Sequence, residues 1–158
     1  MSEERYVSWE EINRGCISLV MNNMSMLRSM EVTIGLSDDM VPATIVSNLL
    51  NVFNLYKMPL ISVVNQNAFG NELVNFVEVG KPLQSGQGIL PPLPSLLMVS
   101  SMIGMGCKVE ETVETYKKRG YDVTTMSLFS CSDCGYVPDL YWQRANESKF
   151  KLIFPWEL

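Results

Sequence analysis

The sequence predicts an α/β protein, an open and mostly parallel sheet flanked by helices. Three observations carry that expectation. Short strand-like apolar runs alternate with segments of helical period. The run "SLLMVS" (95–100) is almost unbroken in apolar residues, as in a central parallel strand buried on both faces. Caps, a first-turn proline and a terminal glycine fall between the runs, where helices should start and stop. The 158 residues suit one domain, 1–158, with a core of useful size.

The elements follow in order. In "VSWEEINRGCISLVMNN", Ser8 is the N-cap of a first helix and Glu11, three residues on, completes a capping box. Val7 and Ile12 are spaced as its hydrophobic staple, and Ile12, Cys16, Leu19 and Val20 share one face. "MEVTIGL" (30–36) is a short strand ending in "SDDM". Pro42 fits the first turn of a second helix, with Ile45, Leu49, Val52 and Phe53 as its apolar stripe. "MPLISVVN" (58–65) is the next strand. Residues 66–94, rich in amides and then in Gly and Pro, read as a small extra lobe followed by an irregular loop.

After the 95–100 strand, a helix begins near Cys107. Val109, Val113 and Tyr116 lie on one face, Glu stands at its start, Lys and Arg at its end, and Gly120 stops it. "YDVTTMSLFS" (121–130) is a strand, and "FKLIFPWEL" supplies the last one. Ligands of such sheets bind beyond the carboxyl ends of the strands. Those ends are "SDDM", "SSMIGMG" and "SCSDCG", which makes these three loops the place for a site.

Composition narrows the chemistry. Asp plus Glu outnumber Lys plus Arg by 17 to 12, a formal charge of −5. That argues against nucleic acid, whose non-specific affinity comes from cationic side chains. The one basic cluster, Lys117-Lys118-Arg119, suits a helix C-terminus. No stretch has the roughly 18 apolar residues of a membrane helix, and the acidic start does not resemble a secretory signal, so a cytoplasmic setting is expected. Histidine is absent. Ser-His and Cys-His dyads are thereby excluded, and a metal would need cysteines or carboxylates alone. No resident metal or cofactor is expected. Asp38 and Asp39 are a thin ligand pair for Mg²⁺ or Ca²⁺, and a solvated loop explains them equally well. "CSDC" (131–134) lacks the second pair of a zinc site and the strand-to-helix setting of redox motifs, so its cysteines are expected as free thiols.

Four pieces stand in a telling order: "RYVSWEEI", the "MVPATIVSNLLN" helix after the first strand, the strand-turn-helix of 95–120, and the terminal "IFPWEL". Together they resemble the type I purine phosphoribosyltransferases of the xanthine-guanine and hypoxanthine group, almost end to end. The resemblance implies that fold, and a family activity that moves ribose 5-phosphate from phosphoribosyl pyrophosphate to a 6-oxopurine with Mg²⁺.

The residues that would do this chemistry have changed. The family's two ribose-binding acids fall on Ser100 and Ser101, and its third acid, a general base near the purine, on Gly104. The following Thr-Gly becomes Met105-Gly106, and a last Thr becomes Lys108. The pyrophosphate loop is Ser37-Asp38-Asp39-Met40, acidic where a polyanion binds in the family. The lysine that reads the purine oxygen falls on Cys131. The stacking aromatic falls on Lys151, or on Phe150 with a one-residue slip, and Trp156 follows nearby.

Loss of a positioned acid–base group alone typically costs 10²–10⁴ in rate. The expectation is therefore a pseudoenzyme that serves as an interaction, regulatory or structural protein. A divergent but active purine phosphoribosyltransferase is the alternative. The resemblance also implies a homo-oligomer, and an unidentified protein partner is the other candidate. The turn Gly104-Met105-Gly106-Cys107-Lys108 offers N–H groups at a helix start and one cation, which would hold the phosphate of a purine nucleotide. Equally, its glycines would merely permit a tight turn.

Overall fold

The capping box forms. The Glu11 N–H donates to Ser8 Oγ at 3.1 Å, and the Ser8 N–H donates to Glu11 Oε2 at 2.9 Å. It opens α1 (Trp9–Asn22), whose buried face is Ile12, Gly15, Cys16, Leu19 and Val20. The structure is a computed structural model that describes residues 2–36, 39–54, 59–63, 93–104, 108–146 and 149–158. The expected lobe and loop of 66–94 lie outside these, apart from their last two residues.

Five strands build the main sheet: β2 (Val32–Leu36), β3 (Leu60–Val63), β4 (Leu96–Ile103), β5 (Val123–Cys131) and β6 (Leu140–Ala145). All neighbours are parallel, in the order β3-β2-β4-β5-β6. The sequence "LYWQRA" of β6 had given no strand expectation. It is half-exposed at the sheet edge, so it lacks the apolar run that marks a strand buried on both faces. The last expected strand takes a different place: β7 (Phe150–Ile153) leaves the main sheet and pairs in parallel with β1 (Glu3–Tyr6).

Helices cover both faces. On one face α1, a short α2 (Met24–Leu27) and α3 (Met40–Asn54) share a core with Leu97, Val99, Met126 and Leu128. On the other, α4 (Lys108–Lys118) lays Val109, Val113 and Tyr116 against Ile34, Leu96 and Met98. The α4 helix carries Glu110 and Glu111 in its first turn and Lys117 and Lys118 in its last, and the chain turns away at Gly120 (φ 93°).

The α3 stripe is corrected in its second half. Ile45 and Leu49 pack half-buried against the α1–α3 core as expected, beside the buried Ala43, Val46, Ser47 and Leu50, while Val52 and Phe53 face outward. Thr44 and Asn48 stand exposed on the opposite side, and the small Ala43, which an apolar stripe does not single out, is the residue that approaches Gly35 of β2.

The strand at 95–100 also continues further than expected, through Ile103. Its alternation slips by one residue on the way. Leu97 and Val99 face the α1–α3 core, yet Met102 packs there too and Ile103 faces α4. The neighbouring β5 slips at the same level, since Leu128 and Phe129 both join the α1–α3 core. Paired serines sit at the slip. Ser100 Oγ donates to the Met102 carbonyl at 3.0 Å, and Ser127 Oγ to the Phe129 carbonyl at 2.6 Å. Ser100 pairs with Ser127 in the ladder, and Met102 with Phe129. The hydroxyls thus satisfy carbonyls close to where the ladder is irregular.

Candidate functional site at the carboxyl ends of the strands

The chain passes from β2 to β3 on one side, then returns to β4 on the other. Such a reversal opens a crevice between the two strands at their carboxyl ends, the usual ligand position in open α/β sheets. Here it lies between the end of β2 and Ser100-Ser101 of β4.

Asp39 bridges it. The α3 helix starts at Met40 and sits low on β2 because Gly35 has no side chain: a Cβ there would meet Ala43 Cβ and Met40 Sδ, each at 2.7 Å. Asp39, one residue ahead of the helix, is thereby carried to β4. Ser100 Oγ donates to Asp39 Oδ2 at 2.8 Å, and Ser101 Oγ donates to Asp39 Oδ1. Both serines are buried and Asp39 is half-buried. Hydrogen bonds to a charged acceptor are among the stronger ones, about 1.5–3 kcal/mol each. Ser100 has a single hydroxyl proton, for which Asp39 and the Met102 carbonyl compete.

Beyond Ser101, Met102 contributes to a cavity of ≈ 310 Å³ whose other walls are Ser2, Phe150, Lys151 and Leu152. Its size is at the lower end for small-molecule sites. Phe150 and Lys151, both expected on the base side, therefore meet there. Trp156 does not line it; its ring stacks on Phe154 at 5.0 Å and tilts against Trp9 at 6.0 Å. Ser2, Met102 and Leu152 were missed. Met102 carried a readable signal, because the apolar run continues past the two serines; Ser2 carried none.

Cys131 is corrected as well. It is bonded to Cys134, with a Cα–Cα distance of 5.5 Å inside the range a disulfide spans. The free-thiol expectation failed because β5 runs to Cys131 and the following turn brings Cys134 back beside it. Gly104 ends β4, half-buried, and Lys108 opens α4. Ser37, Asp38, Met105, Gly106 and Cys107 lie outside the described residues. Among the described residues, no three His, Cys, Asp or Glu side chains are grouped to hold a metal, and no helix is long and apolar enough to cross a membrane.

No family model and no curated protein sequence matches the chain. Solved structures do. A purine phosphoribosyltransferase from Pyrococcus horikoshii is 20% identical with a TM-score of 0.68, over 98% of this chain and 95% of that one. The xanthine-guanine-hypoxanthine phosphoribosyltransferase of Helicobacter pylori is 15% identical with a TM-score of 0.68, over 99% and 95%. The chain has the phosphoribosyltransferase fold. A Neisseria gonorrhoeae protein with bound ppGpp is similar too, 15% identical with a TM-score of 0.68, over 100% of this chain and 91% of that one. In this phosphoribosyltransferase fold, then, the crevice is bridged by an acid from the β2 side and hydroxyls from β4.

Proposed function

We propose that the chain is a phosphoribosyltransferase-fold protein without ribose transfer, one that works by binding: an interaction, regulatory or structural protein that keeps a weak purine-nucleotide site. The observation that carries this reading is the Asp39 bridge. At the two positions where the family resemblance puts ribose-binding acids, Ser100 and Ser101 are hydrogen-bond donors already engaged by Asp39. Two buried donors offer a ribose diol no anionic acceptor, and the carboxylate of Asp39 sits on the pyrophosphate side. A negative group there opposes a pyrophosphate; at an effective dielectric near 20, two unit charges 4 Å apart repel by about 4 kcal/mol.

Retained nucleotide binding is supported by the cavity between Met102 and Phe150-Lys151, and by the Neisseria gonorrhoeae neighbour with bound ppGpp. The phosphate would lie at the 104–108 turn before α4, with Lys108 as its cation. The protein-facing side of the role would be filled by a second copy or by another protein.

The test is a thermal-shift titration with Mg²⁺ against phosphoribosyl pyrophosphate, GMP, XMP, IMP and ppGpp, beside a pyrophosphate-release assay. Nucleotides are expected to raise the Tm saturably; at 100 times Kd the gain is about 2.7 kcal/mol. Lys108→Ala should weaken it. Pyrophosphate release that needs both Mg²⁺ and a purine would instead establish an active transferase. No shift with any ligand would remove the nucleotide site and leave the interaction role alone.

A further inference from the structure

The disulfide stands in a setting that separates its effect from that of the fold around it. Cys131 is buried at the carboxyl end of β5, in register with Ala145 of β6, and Cys134 is half-exposed three residues on. The ladder does not need the sulfurs. The Ser132 N–H donates to the Ala145 carbonyl at 2.9 Å, so strand pairing extends past the cysteine.

The far end of the 132–139 loop is pinned separately. The Thr125 N–H and Oγ1 donate to Asp139 Oδ2 at 2.8 and 3.0 Å. The Asp139 N–H donates to Thr125 Oγ1 at 3.0 Å, and the Tyr136 hydroxyl reaches the same atom at 3.3 Å. Between these anchors Asp133, Gly135 and Val137 are exposed, and a Cβ at Gly135 would meet nothing within 4 Å.

A disulfide that closes so short a ring removes little entropy from the unfolded chain, so as a staple for the whole fold it contributes little. As a local tie it acts directly on the loop. That loop leaves β5 beside the end of β4, where Ser130 pairs with Ile103, one residue before Gly104.

We propose that Cys131–Cys134 is a reversible dithiol–disulfide pair that orders the 132–138 loop between β5 and β6. The co-reactant is a dithiol. Its thiolate attacks Sγ of Cys134, the more exposed sulfur, and Cys131 leaves as a thiolate that takes up a proton. The second thiol of the reductant then attacks the mixed disulfide, forms the reductant's own disulfide, and releases Cys134. Two electrons and two protons are transferred, and a small-molecule disulfide reverses the sequence.

The experiment treats the folded full-length protein with dithiothreitol, without denaturant. Alkylation with peptide-level mass spectrometry and hydrogen exchange are then read in parallel. Labels are expected on both Cys131 and Cys134, with exchange rising at least tenfold across 132–138 while 123–130 keeps its protection. Removal of the reductant and addition of oxidised glutathione should restore slow exchange. The double variant Cys131→Ser, Cys134→Ser should exchange fast under both conditions. A pair that resists dithiothreitol in the folded protein, an unchanged loop after reduction, or loss of protection throughout β5 would each overturn the proposal. Neither readout uses a ligand, so the outcome is independent of the nucleotide site.

Discussion

Gly15 shows how closely one residue can be specified by packing. It lies on the buried face of α1, where a Cβ would come within 2.6 Å of Trp142 Cε3 and 2.7 Å of Leu128 Cδ2. Alanine is worth about 1 kcal/mol more than glycine in a helix interior. Here the clash with an indole ring and a buried leucine methyl wins, since overpacking typically costs 1–3 kcal/mol and both side chains are held by the core around them. Gly15→Ala is expected to lower the Tm by several degrees despite its better helix propensity, as differential scanning calorimetry would show. Nothing in "NRGCIS" announces this, because the partner residues come from strands more than 100 positions away. Asp39 has the same character. Its acidity was legible, but its engagement by Ser100 and Ser101 depends on strands that are neighbours in space and 61 and 62 residues apart in sequence.

Elements differ in how much of their design is local. The α1 cap was readable because Ser8 and Glu11 are three residues apart and need no distant partner. In the fold Arg5 adds to it, reaching Glu11 at 3.0 Å. The Glu11 carboxyl is held below the usual range, first by the Ser8 N–H and also by Arg5, against its partial burial. Its contribution is therefore present above the unfolded pKa and is lost as the pH falls through the lower folded value. The slip in β4 and β5 was not readable, since strands buried on both faces send apolar residues to either side and show no alternation for a slip to break. Ser127→Ala tests it: the Phe129 carbonyl loses its 2.6 Å donor, and one intramolecular hydrogen bond contributes about 1 kcal/mol. Urea unfolding should show a lower midpoint with an unchanged slope.

At the scale of the whole molecule, two buried acids couple stability to pH. Burial pushes the Cys16 thiol up to about 12, and burial, helped by Tyr121 and opposed by Arg119, pushes the Tyr116 phenol up to about 12. Both stay neutral in the folded protein where the unfolded chain ionises, from near pH 9 for the thiol and pH 10 for the phenol. Folding free energy is then retained below pH 9 and falls as the pH rises toward 12, by up to about 1.4 kcal/mol per pH unit for each group. Urea midpoints measured from pH 8 to 11 should fall above 9, and Cys16→Ala should flatten the first part of that fall. The fold itself joins these groups, with Cys16 in the core on the α1–α3 face and Tyr116 on the α4 face of one sheet.

Local pattern along the chain was enough for the α/β class, the run of β4 as a buried central strand, the capping box of α1 and the polarity of α4. Each of these rests on neighbours within a few residues, where period, capping and turn chemistry act. Only packing settled the pairing of β1 with β7, the edge place of β6, the outward turn of Val52 and Phe53, the Asp39 bridge and the Cys131–Cys134 bond. Those outcomes depend on which surfaces remain to be covered once the sheet has formed. They also depend on which polar groups meet at the point where the chain reverses its order across β2 and β4.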